Sequence, residues 1–129
     1  MILVDTSVWI EVLRGRAGVR YANAVAGDEV VTCLPVMQEV LQGIGDERAF
    51  HLAVAAFADI PALEDPLTRG VFEEAVDLYR TARRAGITVR SSVDCLIATC
   101  ALRNGATVLH VDRDFGHLAR VTSLSVLHL

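Results

Sequence analysis

Two short aliphatic runs, one over residues 2–4 and one over 107–111, each end directly in an aspartate, Asp5 and Asp112. Runs of this length and composition read as strands, and each is followed by a segment with helical signals rather than by a hairpin turn. A strand that hands over to a helix must cross over before the next strand, so neighbouring strands run parallel and helices cover the sheet. This predicts an α/β three-layer sandwich with a mainly parallel central sheet. Ligands of such sheets sit beyond the carboxyl ends of the strands, where both aspartates fall.

The rest of the chain supports that frame. A strand over 29–34 follows helices over 6–13 and 16–27, with Thr6 or Ser7 as cap of the first. Helices are predicted over 35–43, 46–59, 66–85 and 91–104, and a closing strand over 121–127. Asp114 is expected to cap a short turn through Phe115 and Leu118. At 129 residues, 53% of them hydrophobic, the chain fits one domain, 1–129, with a large core. No apolar stretch approaches the roughly 20 residues that span a bilayer, and no signal-peptide pattern opens the chain, so a cytoplasmic protein without membrane contact is expected.

Several chemistries are excluded by residue type. All 12 basic residues are arginine, which argues against a Walker A loop, a Schiff-base enzyme or a lysine-dependent phosphatase. Cys33, Cys95 and Cys100 form no C-x-x-C pair and read as small buried hydrophobes. The four histidines have no zinc-protease spacing. A net charge of −4 argues against a broad footprint on duplex DNA, so any nucleic acid is bound locally.

Four acidic positions stand out. Asp5 is either a site residue or an ordinary strand-end helix cap. Asp94 lies in the first turn of a helix that is apolar on nearly every face; a buried charge there needs a partner, unless Ser91-x-x-Asp94 is a capping box. Glu39 borders the apolar stripe of its helix and reads equally as a solvated residue. In the run V-D-R-D-F at 111–115, Asp112 is nearest the strand end and Asp114 is a second candidate. Carboxylates meeting at one sheet end repel unless a cation sits among them, and hard oxygen ligands favour Mg²⁺ or Mn²⁺. Such sites hydrolyse phosphodiesters with an activated water.

Four blocks of sequence carry a resemblance: MILVDTSVWIE at the N-terminus, Glu39 after a proline-started helix, S-x-D-C-L-I-A from Ser92 to Ala98, and H-V-D-R-D-F from His110 to Phe115. The chain resembles PIN-domain ribonucleases, in particular the VapC-type toxins of toxin–antitoxin pairs. That resemblance implies an Mg²⁺- or Mn²⁺-dependent endoribonuclease with catalytic Asp5, Glu39, Asp94 and Asp112, metal ligands Asp5, Asp94, Asp112 and Asp114, and Ser7 orienting Asp5 unless it merely caps the helix. It also implies a VapB-like antitoxin partner, a toxin homodimer and a toxin–antitoxin hetero-oligomer. Two departures from the family are the split of the fourth acid between Asp112 and Asp114 and the absence of lysine. RNA-backbone contacts then fall to arginine, and Arg80, Arg83, Arg84 and Arg90 are the candidates; the alternative for the helical ones is a solvated face paired with Glu73, Glu74 and Asp77. The rival functions are a PIN-like module that binds RNA or protein without cutting, a housekeeping nuclease without antitoxin, and a small acid-site phosphatase. Trp9, Val12, Leu13, Phe50, Val54 and Phe57 are candidates for a partner surface, with core packing as the alternative.

Overall fold

The structure, a computed structural model, describes residues 1–129. In chain order the elements are β1 Ile2–Val4, α1 Thr6–Leu13, α2 Gly18–Val25, β2 Val30–Cys33, α3 Leu34–Gln42, α4 Glu47–Ala58, β3 Ala62–Leu63, α5 Arg69–Arg84, α6 Ser92–Asn104, β4 Thr107–His110, α7 Arg113–Val121 and β5 Ser125–His128. The sheet has the order β3-β2-β1-β4-β5 and every pair is parallel. No helix is long and apolar enough to cross a membrane.

Side-chain alternation along the central strands builds two cores. Leu3 and its register partner Val108 join a cluster of 21 buried residues drawn mainly from α3, α5, α6 and α7. Ile2, Val4 and Leu109 point the other way and pack with Val8, Trp9, Val12 and Tyr21 of α1 and α2. A sheet covered on both faces explains strands that are apolar throughout rather than alternating. α6 is likewise buried on most sides, from Asp94 to Ala101, and ends at Gly105, whose φ of 64° is a left-handed helix stop. Cys33, Cys95 and Cys100 are free and buried, as expected of small hydrophobes.

Local expectations need correction at three places, and one short strand, β3, is unanticipated. Asp5, not Thr6 or Ser7, caps α1, its carboxylate accepting the Ser7 amide. The long helix begins at Arg69, three residues after Pro66, because Thr68 takes the extended conformation of the cap. β3 is only two residues long and lacks β-branched side chains, so it gives almost no strand signal. The segment expected to be a turn and then a strand is the helix α7, with Phe115 and Leu118 three residues apart on its buried face. The closing strand therefore starts at Ser125, and the cap of α7 is Asp112 rather than Asp114.

Candidate active site at the carboxyl ends of the central strands

From β1 the chain builds the sheet first towards β2 and β3, then returns to add β4 and β5 on the other side. The crevice between β1 and β4 is thus the topological switch point, where an α/β sheet opens to a ligand. Asp5 is the residue after β1, and Asp112 lies two residues beyond β4. Register holds these ends together: Val4 pairs with Leu109, and the Asp5 amide donates to the Leu109 carbonyl at 2.9 Å.

Ser7 locks Asp5 in place. Its hydroxyl donates to the Asp5 carboxylate and accepts the Val111 amide at 3.2 Å, so one side chain ties the end of β1 to the segment after β4. Asp5 is 3% exposed. Burial raises its pKa, against the opposing hydrogen bonds from Ser7 and with a further push from Glu39. The cap and site readings of Asp5 are both realised, since one carboxylate oxygen serves the α1 terminus.

Asp94 enters the same crevice from the first turn of α6, 8% exposed. The Ser91 side chain makes no capping bond, so the capping-box alternative is not realised. Burial first, and then the charges of Asp5, Asp112, Glu39 and Asp114, push the Asp94 carboxyl up to about 7. Oxygens of Asp94, Asp112 and Asp114 lie within 4.8 Å of one another. Glu39 approaches from α3, half-buried, with Oε1 accepting the Thr6 hydroxyl at 2.8 Å. Asp5 and Glu39 stand outside the tight trio but act on Asp94 through their charges. Asp114 is the more buried of the split pair at 3%, while Asp112 spends an oxygen on the Asp114 amide.

Of the four arginines considered for RNA, Arg90 turns inward: its Nε lies 3.1 Å from Asp114 and its Nη2 3.2 Å from Asp112. Arg83 donates to Thr88 at 3.1 Å and Arg84 to Thr81 at 3.3 Å, both exposed. No ion pair joins Arg80, Arg83 or Arg84 to the acids of α5; Glu74 pairs with Arg103 instead, at 2.7 Å. The sequence reading missed Arg113, His117 and Arg120. Their i, i+4, i+7 spacing places them along one stripe of a helix, a signal hidden by reading 113–118 as a turn.

Of the proposed partner residues, Trp9 and Phe57 pack into the core with ring centroids 5.5 Å apart, whereas Leu13 and Val54 are exposed. An entirely apolar groove runs beside Leu13, lined also by Trp9, Val40, Ala53, Phe57 and Ile60.

A parallel sheet with a carboxylate cluster at its switch point is the arrangement of a PIN domain, and the PIN domain family matches residues 2–121. The chain is 38% identical over 131 residues to Ribonuclease VapC11 of Mycobacterium tuberculosis and to VapC ribonuclease Mb1587 of Mycobacterium bovis, covering 96% of each chain. Among solved structures it is similar to VapBC2 from Rickettsia felis, determined with a DNA fragment from its promoter, with a TM-score of 0.77 at 15% identity over 100% of this chain and 99% of that one. VapBC-5 of Mycobacterium tuberculosis gives a TM-score of 0.72 at 21% identity, covering 98% and 97%. The chain belongs to the VapC ribonucleases of the PIN-domain family.

Proposed function

We propose that this chain is a divalent-metal-dependent endoribonuclease and the toxin of a toxin–antitoxin pair, with residues 1–129 acting as one domain. The observation that carries the catalytic part is Asp94: a buried carboxylate, raised to about 7 by burial and by four neighbouring acids, with no hydrogen bond that lowers it. Such a cluster is costly as it stands and is relieved by a cation. Asp94, Asp112 and Asp114, with Asp5 beside them, would hold Mg²⁺ or Mn²⁺, because the donors are hard oxygens with no cysteine or imidazole among them. When bound, the cation supplies Lewis-acid polarisation of the phosphodiester and neutralises the charge that develops on it.

The protein's own groups divide the remaining work. Ser7 fixes the Asp5 carboxylate against the sheet end, so its orientation does not depend on the occupant. Glu39 has one oxygen held by Thr6 and the second free to take a proton from the attacking water. Arg90, paired with Asp112 and Asp114, balances part of the acidic charge at the rim.

A VapB-like antitoxin is the proposed partner, supported by kinship with VapC ribonucleases and by solved relatives described as VapBC. The apolar groove beside Leu13 and the exposed stripe Phe72, Val76 and Tyr79 on α5 give it and a second toxin copy surfaces to cover. Incubation of the purified chain with total RNA and Mn²⁺, with and without chelator, tests the enzyme. Chelator-sensitive cleavage that Asp5→Asn and Asp94→Asn abolish is the expected result. Intact RNA in all lanes would overturn catalysis in favour of a binding module.

A further inference from the structure

Beside the acidic cluster, on the far side of Arg90, a cleft of about 260 Å³ opens between the loop at 86–90 and α7. Its walls carry the side chains of Arg90, Arg113, His117 and Arg120, and its only carboxylate is Asp114. Arg90 already pairs with that carboxylate, whereas Arg113 and Arg120 pair with no acid. Two unneutralised guanidiniums in one cleft are notable in a chain of net charge −4. Helix stability does not account for Arg113, which sits at the first position of α7, where the helix dipole disfavours a cation. Arg83 holds the opposite wall, donating to Thr88 at 3.1 Å. Arg90 is common to both compartments, so an occupant of the cleft lies directly alongside the carboxylates.

We propose that this cleft is a backbone-phosphate subsite: Arg113 and Arg120, with His117 between them, hold phosphodiesters of the RNA strand next to the one being cut. The proposal rests on the nuclease reading above. The chemistry suits a phosphodiester, since guanidinium forks bind phosphate oxygens in pairs and read no base. It also suits the charge of the whole molecule. A negatively charged protein cannot hold RNA by its general field and needs a local positive cleft at the point of cleavage.

The test compares the full-length wild type, the double variant Arg113→Gln/Arg120→Gln, the charge-keeping variant Arg113→Lys/Arg120→Lys, and Arg20→Gln/Arg48→Gln, exposed on α2 and α4. A fluorescein-labelled single-stranded RNA of mixed sequence is titrated in EDTA across a range of NaCl concentrations and followed by anisotropy, with thermal melts confirming that each variant folds. The glutamine variant of the cleft is expected to bind about tenfold more weakly at low salt, and the Arg20→Gln/Arg48→Gln variant to bind as the wild type does. The slope of log K against log salt should become shallower by about 0.7 for each of the two guanidiniums replaced by glutamine. The lysine variant should keep most of the slope, and with Mn²⁺ the glutamine variant should lose RNA cleavage mainly through KM. A wild type that cuts RNA while the cleft variant keeps wild-type affinity and slope overturns the subsite and leaves the nuclease standing. A wild type that neither binds nor cuts RNA overturns both.

Discussion

Replacing Asp94 by Asn should make the metal-free protein more stable at pH 8, against the usual direction for a buried residue. In the folded chain the Asp94 carboxyl titrates near 7, raised from 3.8 mainly by burial and secondly by the charges of Asp5, Asp112, Glu39 and Asp114. The folded state therefore binds a proton that the unfolded state has lost between about pH 4 and 7. The stabilisation by protonated Asp94 is complete below pH 3.8 and is lost as pH rises through about 7. Three pKa units at about 1.4 kcal/mol each set a ceiling of about 4 kcal/mol. Water and counter-ions at the open end of the crevice screen this charge, and about 1–2 kcal/mol is the expected gain for the neutral isostere. For a chain of 129 residues that is a rise in Tm of about 4–7 °C.

The assay is thermal melting of wild type and Asp94→Asn in EDTA from about pH 4 to 8.5, a range that brackets both titrations. The gap between the two should open from about pH 4 and level off above about pH 7. His110, which has no charge interaction with Asp94, is common to both proteins and cancels in the difference, whereas the repulsion between Asp5 and Asp94 is part of the gap itself. Adding Mn²⁺ at pH 8 should raise the Tm of wild type and leave the variant almost unmoved. A variant less stable than wild type at pH 8 in EDTA, or a gap independent of pH, would refute the claim that Asp94 carries an uncompensated charge.

Ser7→Ala removes the hydroxyl that joins Asp5 to the Val111 amide, and RNA cleavage should fall about 10- to 100-fold, read as the initial rate at saturating Mn²⁺. Arg90→Ala removes the guanidinium that pairs with Asp112 and Asp114, so the metal-free protein should melt at a lower temperature at pH 8 while its Mn²⁺ affinity, measured by calorimetry, rises. Expression of the chain alone should arrest growth, and co-expression of a small VapB-like protein should restore it. Leu13→Glu, placed at the mouth of the apolar groove between α1 and α4, should weaken that rescue without lowering cleavage by the isolated protein, checked by growth curves beside an RNA assay.

Much of the site was legible because its chemistry contradicts its surroundings. Asp5 and Asp112 interrupt apolar strands at their ends, and Asp94 interrupts a helix with no polar face, so each is visible without knowing what lies opposite. Glu39 is different. Its meaning comes from the hydroxyl of Thr6, 33 residues away in sequence, and a half-buried glutamate on a helix border looks the same whether or not such a partner exists. The transfer of the cap from Asp114 to Asp112 followed from one boundary. With α7 read as a turn, Asp114 looked like the cap; with the helix starting at Arg113, Asp112 caps it and Asp114 is carried into the interior at 3% exposure. The same boundary hid the basic stripe of Arg113, His117 and Arg120.

Arg90 shows why these features belong together. A row of carboxylates repels RNA as strongly as it attracts a cation, so a nuclease with net charge −4 needs positive charge close to its acids that offsets only part of theirs. The guanidinium fork meets this requirement geometrically: Nε faces Asp114, Nη2 faces Asp112, and the side chain remains more than half exposed towards the cleft. A lysine ammonium is a single point charge and would favour one carboxylate over the other. In a chain without lysine, the acidic crevice and the basic cleft are joined through one planar side chain that touches both.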